Sequence, residues 1–129
     1  MAKRRPLVLI VDDEPDMCWV LTHLLGEDDY ELKVAQTGEA ALKLIESDRF
    51  DIALLDVKLT DMDGLDLAGK MKALDGEVHI VMMSGYYYTD DMDIRDALDN
   101  GLITAFISKP FVHKEVMEII GKIDCNTRR

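Results

Sequence analysis

Phe50-Asp51-Ile52-Ala53-Leu54-Leu55-Asp56 is the stretch on which the fold turns. Ile52 to Leu55 is short and wholly apolar, the signature of a strand buried on both faces, as in parallel sheets. It stops abruptly on a carboxylate, Asp56. Open α/β sheets bind ligands beyond the carboxyl ends of their strands, so an acid at that point invites a search for others like it. The run 7–11 ends on Asp12, Asp13 and Glu14. The run 78–83 ends on Ser84-Gly85, and the run 105–107 ends on Ser108-Lys109-Pro110. Four strands would then deliver carboxylates, a hydroxyl and one ammonium to a common edge.

Between these runs the period changes from two to 3.6. A first helix is expected over 15–25, with Met17, Val20, Leu21, Leu24 and Leu25 inward, Pro15 in its first turn and Gly26 at a left-handed end. Residues 31–35 alternate polar and apolar, as a half-exposed edge strand does. Thr37 can cap a second helix that turns Ala41, Leu44 and Ile45 inward. A third helix over 65–74 would bury Leu67, Met71 and Leu74. A strand over 78–82 follows, then a fourth helix capped by Thr89 and closed by Asn100-Gly101. That helix has the poorest apolar stripe, mainly Ile94, Ala97 and Leu98. A fifth strand is expected over 103–107, and a fifth helix carries Val112, Val116, Ile119, Ile120 and Ile123 on one face. Five βα units with short loops predict a doubly wound α/β sheet. The continuous apolar strands, first, third and fourth, belong in its middle. This agrees with the order 2-1-3-4-5, whose switch point falls between Asp12-Asp13 and Asp56. The choice of that order also leans on the resemblance given below.

The totals narrow the function. A chain of 129 residues suits one domain with one core. No apolar run is long enough to span a bilayer, and the basic opening is followed by too short an apolar segment for a signal peptide, so a cytoplasmic protein is expected with no membrane role. The formal charge of −11 repels phosphate backbones and argues against direct nucleic-acid binding by this domain. Cys18 and Cys125 have no metal-type spacing and read as two free thiols.

Three carboxylates at one edge repel one another, and a divalent cation relieves the repulsion. Oxygen-only ligands and an open site suit Mg²⁺, which also accepts phosphate oxygens. Held by Asp12, Asp13 and Asp56, such an ion leaves room for a phosphoryl group that one carboxylate could attack, forming an aspartyl phosphate. Lys109 and the cation would then neutralise the oxygen charge from two sides, and Ser84 could donate to a remaining oxygen.

These residues, in this order, resemble the receiver domains of two-component response regulators, over about residues 6–123. The matching pieces are Asp12-Asp13-Glu14, Asp56, Met62-Asp63-Gly64, Ser84-Gly85 and Lys109-Pro110-Phe111. The resemblance implies a flavodoxin-like (βα)₅ fold and a single receiver domain. It implies Asp56 as phosphoacceptor, Asp13 as a direct Mg²⁺ ligand, Asp12 as a ligand through water, and the backbone carbonyl of Lys58 as a further ligand. Ser84 and Lys109 would hold the phosphoryl oxygens, Phe106 would be the aromatic switch, and the Lys109–Pro110 bond would be cis. The donor would be a phosphohistidine on a sensor histidine kinase or phosphotransfer protein. The readout would pass through the fourth helix, fifth strand and fifth helix to a partner, an output domain or effector, or a phosphorylation-dependent homodimer. The domain would be no enzyme toward external substrates.

Some positions depart from the family pattern. Thr60 stands where many receivers have Pro, which leaves the loop after Asp56 without one fixed φ. The stretch from Gly101 to Lys109 is one residue longer than the common spacing, and Tyr86-Tyr87-Tyr88 is unusually aromatic. Two other readings stay open: a pseudo-receiver that binds partners without phosphorylation, and an Asp-nucleophile phosphatase. The latter places a second Asp two residues beyond the nucleophile, where this chain has Lys58. Trp19 and His23, four apart on the first helix, read as surface packing or as a kinase-docking pair.

Overall fold

The structure, a computed structural model, describes residues 6–26, 30–84, 92–108 and 113–127, with backbone alone at 113 and 124–127. Strands and helices alternate: β1 (Leu7–Val11), α1 (Pro15–Leu25), β2 (Glu31–Ala35), α2 (Gly38–Ser47), β3 (Ile52–Asp56), α3 (Gly64–Leu74), β4 (His79–Ser84), α4 (Met92–Asp99), β5 (Ala105–Ser108) and α5 (His113–Thr127). All strand pairs are parallel, and the sheet order is β2-β1-β3-β4-β5. This is the expected doubly wound topology, with its reversal between β1 and β3.

The alternation of side chains along each strand splits the core in two. Leu9, Val11, Ala53, Leu55, Ile80 and Met82 face α2, α3 and α4. Val8, Ile10, Ile52, Leu54, Val81 and Met83 face α1 and α5. Every residue of β3 is buried, which is why Ile52 to Leu55 shows no period-two alternation in polarity. Each large side chain there contributes roughly 1.5–3 kcal/mol by leaving water. β2 is the half-exposed edge; its Lys33 pairs with Asp48 at 2.7 Å, both partly in solvent, where such pairs contribute at most about 1 kcal/mol.

The helix ends follow the local chemistry. Pro15 opens α1, and Gly26 closes it at φ +77°. The Thr37 hydroxyl accepts from the Ala40 N–H at 3.1 Å, capping α2. Asn100-Gly101 closes α4, with Gly101 at φ +82°.

Four expectations are corrected in detail. In α1 Leu21 and Leu25 are buried and Met17 and Leu24 pack partly buried against the same core, as expected, but Val20 is 39% exposed and Cys18 is buried; the helix turns the Cys18 edge of the stripe toward the sheet, not the Val20 edge. In α3, Ala68 is buried alongside Leu67 and Met71, and Leu74, at the last position, is 52% exposed. β4 begins at His79 and runs on to Ser84, and β5 is Ala105–Ser108. α4 buries only Ile94 and Ala97, with Leu98 38% exposed. Thr89, Tyr86–Tyr88 and Val112 lie outside the described residues. Trp19 and His23 are both exposed and stack with ring centroids 3.9 Å apart.

Candidate functional site

The switch point collects the acids. Asp12 leaves the end of β1, and its N–H donates to the Ala35 carbonyl at the end of β2. Asp56 is the last residue of β3, one strand over. Asp12, Asp13 and Asp56 each present a carboxylate oxygen within 4.8 Å of the other two. Asp12 is fully buried, Asp56 is 8% exposed, and Asp13 is intermediate.

Backbone donors fix two of the acids. Asp12 Oδ1 accepts from the Glu14 N–H at 3.0 Å, and Asp56 Oδ1 accepts from the Lys58 N–H at 3.4 Å. Each is a carboxylate bonding its own chain two residues on, which tolerates a charged group near the protein interior. From below, the buried Cys18 thiol donates to the Asp12 carbonyl at 3.3 Å, a contact the sequence reading missed because it counted Cys18 only as a free thiol.

The neighbouring strands supply the rest of the edge. In the register of β3 and β4, Asp56 is opposite Met83, so Ser84 follows immediately at the site; it is 2% exposed. Ser84 is in turn the Cα partner of Ser108, the last residue of β5. Lys109 comes next in the chain and lies outside the described residues, as do Gly85, Pro110 and Phe111. Phe106 is partly buried and packs against the core face that α2, α3 and α4 cover.

The loop leaving Asp56 doubles back on itself. Lys58 forms an antiparallel bridge with Asp63, the Leu59 N–H donates to the Met62 carbonyl at 3.3 Å, and the Gly64 N–H donates to the Val57 carbonyl at 2.6 Å. Asp63 caps α3 by accepting from the Leu65 N–H at 2.8 Å. Gly64 has no room for a side chain: a Cβ there would collide with the Asp56 carbonyl oxygen and come within 2.8 Å of Val57 Cα. This accounts for Met62-Asp63-Gly64 as a unit that returns the chain tightly beneath the site.

The donor set fits a hard divalent cation. All ligand atoms are oxygens, three formal negative charges share one small volume, and among the described residues no nitrogen or sulfur ligand joins them. The arrangement can concentrate a cation among three carboxylates.

Comparison with known proteins agrees with this geometry. The family model described as response regulator receiver domain matches residues 8–121. Sporulation initiation phosphotransferase F of Bacillus subtilis is 30% identical over 115 residues, covering 89% of this chain and 90% of that protein. The DNA-binding response regulator MtrA of Mycolicibacterium smegmatis is 32% identical over 129 residues; there the chain spans 54% of the relative's length. A CheY-like response regulator receiver domain protein from Methanospirillum hungatei superposes with a TM-score of 0.84 at 31% identity, over 94% of this chain and 95% of that one. The response regulator TrrA of Thermotoga maritima, solved in complex with Mg²⁺-BeF, gives 0.79 at 28% identity, over 92% and 98%. With five parallel strands in the order 2-1-3-4-5, an acidic triad at the switch point and this match over most of its length, the chain belongs to the response regulator receiver domain family.

Proposed function

We propose that this domain is a phosphoryl-accepting switch in which Asp56 takes a phosphoryl group from a phosphohistidine on a sensor histidine kinase or phosphotransfer protein in the cytoplasm. The observation that carries the reading is the convergence of Asp12, Asp13 and Asp56 within 4.8 Å at the end of β1 and β3. A carboxylate oxygen of Asp56 forms a bond to phosphorus as the bond between phosphorus and the imidazole nitrogen breaks, and the imidazole takes up a proton. Asp13 directly, Asp12 through water and the Lys58 carbonyl would hold Mg²⁺, which supplies charge neutralisation for the phosphoryl oxygens. That the Thermotoga relative was solved in complex with Mg²⁺-BeF supports Mg²⁺ as the cation. The Ser84 hydroxyl and the Lys109 ammonium would receive the remaining oxygens, a reading supported by Ser84 closing β4 beside the Asp56 register and by Lys109 following β5 in the sequence.

The phosphoryl group would bias an existing equilibrium between two conformers, drawing Ser84 toward it and turning Phe106 inward. The face of α4, β5 and α5 would carry the change to a partner, an output domain or a second copy of the chain. The two buried residues of α4 support this as the face most readily remodelled. Since the chain spans about half of relatives such as MtrA, a DNA-binding output belongs to such longer proteins and not to this acidic domain.

Incubation with a small phosphodonor and Mg²⁺, followed by intact mass, tests the reading. A phosphoryl adduct present in the native protein and absent from Asp56→Asn is expected. No adduct would leave a phosphorylation-independent binding module, and turnover of an external phosphomonoester would make the domain a phosphatase.

A further inference from the structure

Asp61 sits in the middle of the loop that follows Asp56, yet its carboxylate reaches out of that loop to another helix. Oδ1 accepts from the Gly38 N–H at 2.9 Å and Oδ2 from the Glu39 N–H at 3.0 Å. These are first-turn donors of α2, which have no partner within the helix. The same two backbone donors hold the Asp61 carboxyl below the usual carboxylate range although the group is exposed. A second, independent contact closes the seam: Met62 packs where a side chain at residue 38 would be, so that a Cβ on Gly38 would come within 2.6 Å of Met62 Cγ.

We propose that Asp61 is a positioning residue for cation binding, clasping the loop that carries Lys58 to the N-terminus of α2. This rests on the reading above in which the Lys58 carbonyl is a ligand. The loop is already folded on itself by the Lys58–Asp63 bridge, so anchoring its middle at Asp61 fixes the orientation of the backbone at Lys58. A cation that selects this loop conformer therefore stabilises the clasp, and the clasp strengthens cation binding by the same factor.

That reciprocity supplies the test. The full chain is titrated with Mg²⁺ by calorimetry, and amide hydrogen exchange at Gly38 and Glu39 is followed with and without the ion. In the native protein Mg²⁺ should slow exchange at both amides. Asp61→Ala should abolish that slowing and weaken Mg²⁺ binding about five- to tenfold, at the lower end of ordinary coupling strengths. Asp61→Asn keeps one acceptor oxygen and should lose less. Thr37→Ala is the control, because it removes the other cap of α2 without touching the loop; its Mg²⁺ affinity should equal the native value. Native-like affinity in Asp61→Ala, or an equal loss in Thr37→Ala, would overturn the clasp while leaving the cation site standing. A native protein that binds no Mg²⁺ at millimolar concentration would remove the cation reading and the clasp with it.

Discussion

Replacing Asp13 by Asn should make the metal-free protein more stable, the reverse of what most substitutions in a folded site do. The reason is the crowding of charge. The three carboxylates lie within 4.8 Å of one another, and neutralising Asp13 removes two of the three mutual repulsions. At that separation a pair of unit charges costs about 0.9 kcal/mol in bulk water and about 3.5 kcal/mol at the effective dielectric of roughly 20 that suits protein sites. Asp13 is half-buried, so its two interactions fall between these limits. With counterion screening of a partly open site, a gain of about 2 kcal/mol is expected at low salt, shrinking as salt rises. For a domain of this size that is a rise of roughly 6–10 °C in Tm.

The assay is thermal unfolding of both proteins in chelator, then in Mg²⁺. The native protein should gain about 1.4 kcal/mol when the free ion stands at ten times its dissociation constant. The Asp13→Asn protein should start higher and gain little. The two curves should therefore converge as Mg²⁺ is added. An Asp13→Asn protein that unfolds at a lower temperature than the native one in chelator, or that keeps the full Mg²⁺ increment, would refute the idea that repulsion among these acids is what the cation relieves.

Three further outcomes follow from the packing. Burial holds the His79 imidazole below its ordinary value, Lys72 adds to that and Asp51 opposes it; the folded chain therefore binds a proton less readily than the unfolded chain. Its contribution to stability is complete above about pH 6.5 and is lost as pH falls through that value toward the folded pKa, so His79→Gln should show a shallower loss of unfolding free energy over that window. Gly64→Ala would drive a Cβ into the backbone at Asp56 and Val57, costing about 1–3 kcal/mol in denaturant unfolding and weakening Mg²⁺ binding, since Asp56 itself is displaced. Met71→Ala, at a fully buried position, should lower the urea midpoint by the equivalent of about 2–5 kcal/mol, whereas Leu74→Ala on the same helix should change it by about 0.5 kcal/mol or less.

The contrast between Met71 and Leu74 also shows where the sequence stops being informative. Both lie at helical spacing from Leu67, so periodicity places all three on one face. It has no means of knowing that the packed surface ends before the helix does. The same blindness affects α1, where aliphatic spacing puts Val20 on the inward stripe, whereas packing against the sheet and α5 buries Cys18 in its place. The strands were easier to read. A parallel strand covered on both sides needs apolar residues at every position, so Ile52 to Leu55 announces its burial directly, and the residue that breaks the run, Asp56, is placed at the strand end by the same logic. For this reason the acidic triad was legible, and so was the central place of β1, β3 and β4, while their order leaned on the family resemblance as well.

The loop after Asp56 is the opposite case. With Thr60 in place of a common Pro, the sequence predicts a segment lacking one fixed φ. The structure supplies the constraint by other means: the Lys58–Asp63 bridge, the Gly64 N–H on the Val57 carbonyl, and Asp61 on two donors of α2. The last of these joins residues 22 and 23 apart, both outside any periodic pattern, and an Asp in Asp61-Met62-Asp63-Gly64 reads as an ordinary turn acid. The two kinds of constraint differ physically. A proline restricts the chain in every state and stabilises by about 0.4–1 kcal/mol through the unfolded ensemble. A pair of charge-assisted hydrogen bonds on an exposed carboxylate acts only in the conformer that makes them. A loop held by Asp61 can therefore be released, and releasing it would free α2 and the Lys58 backbone together, a coupling that a proline at residue 60 would not create.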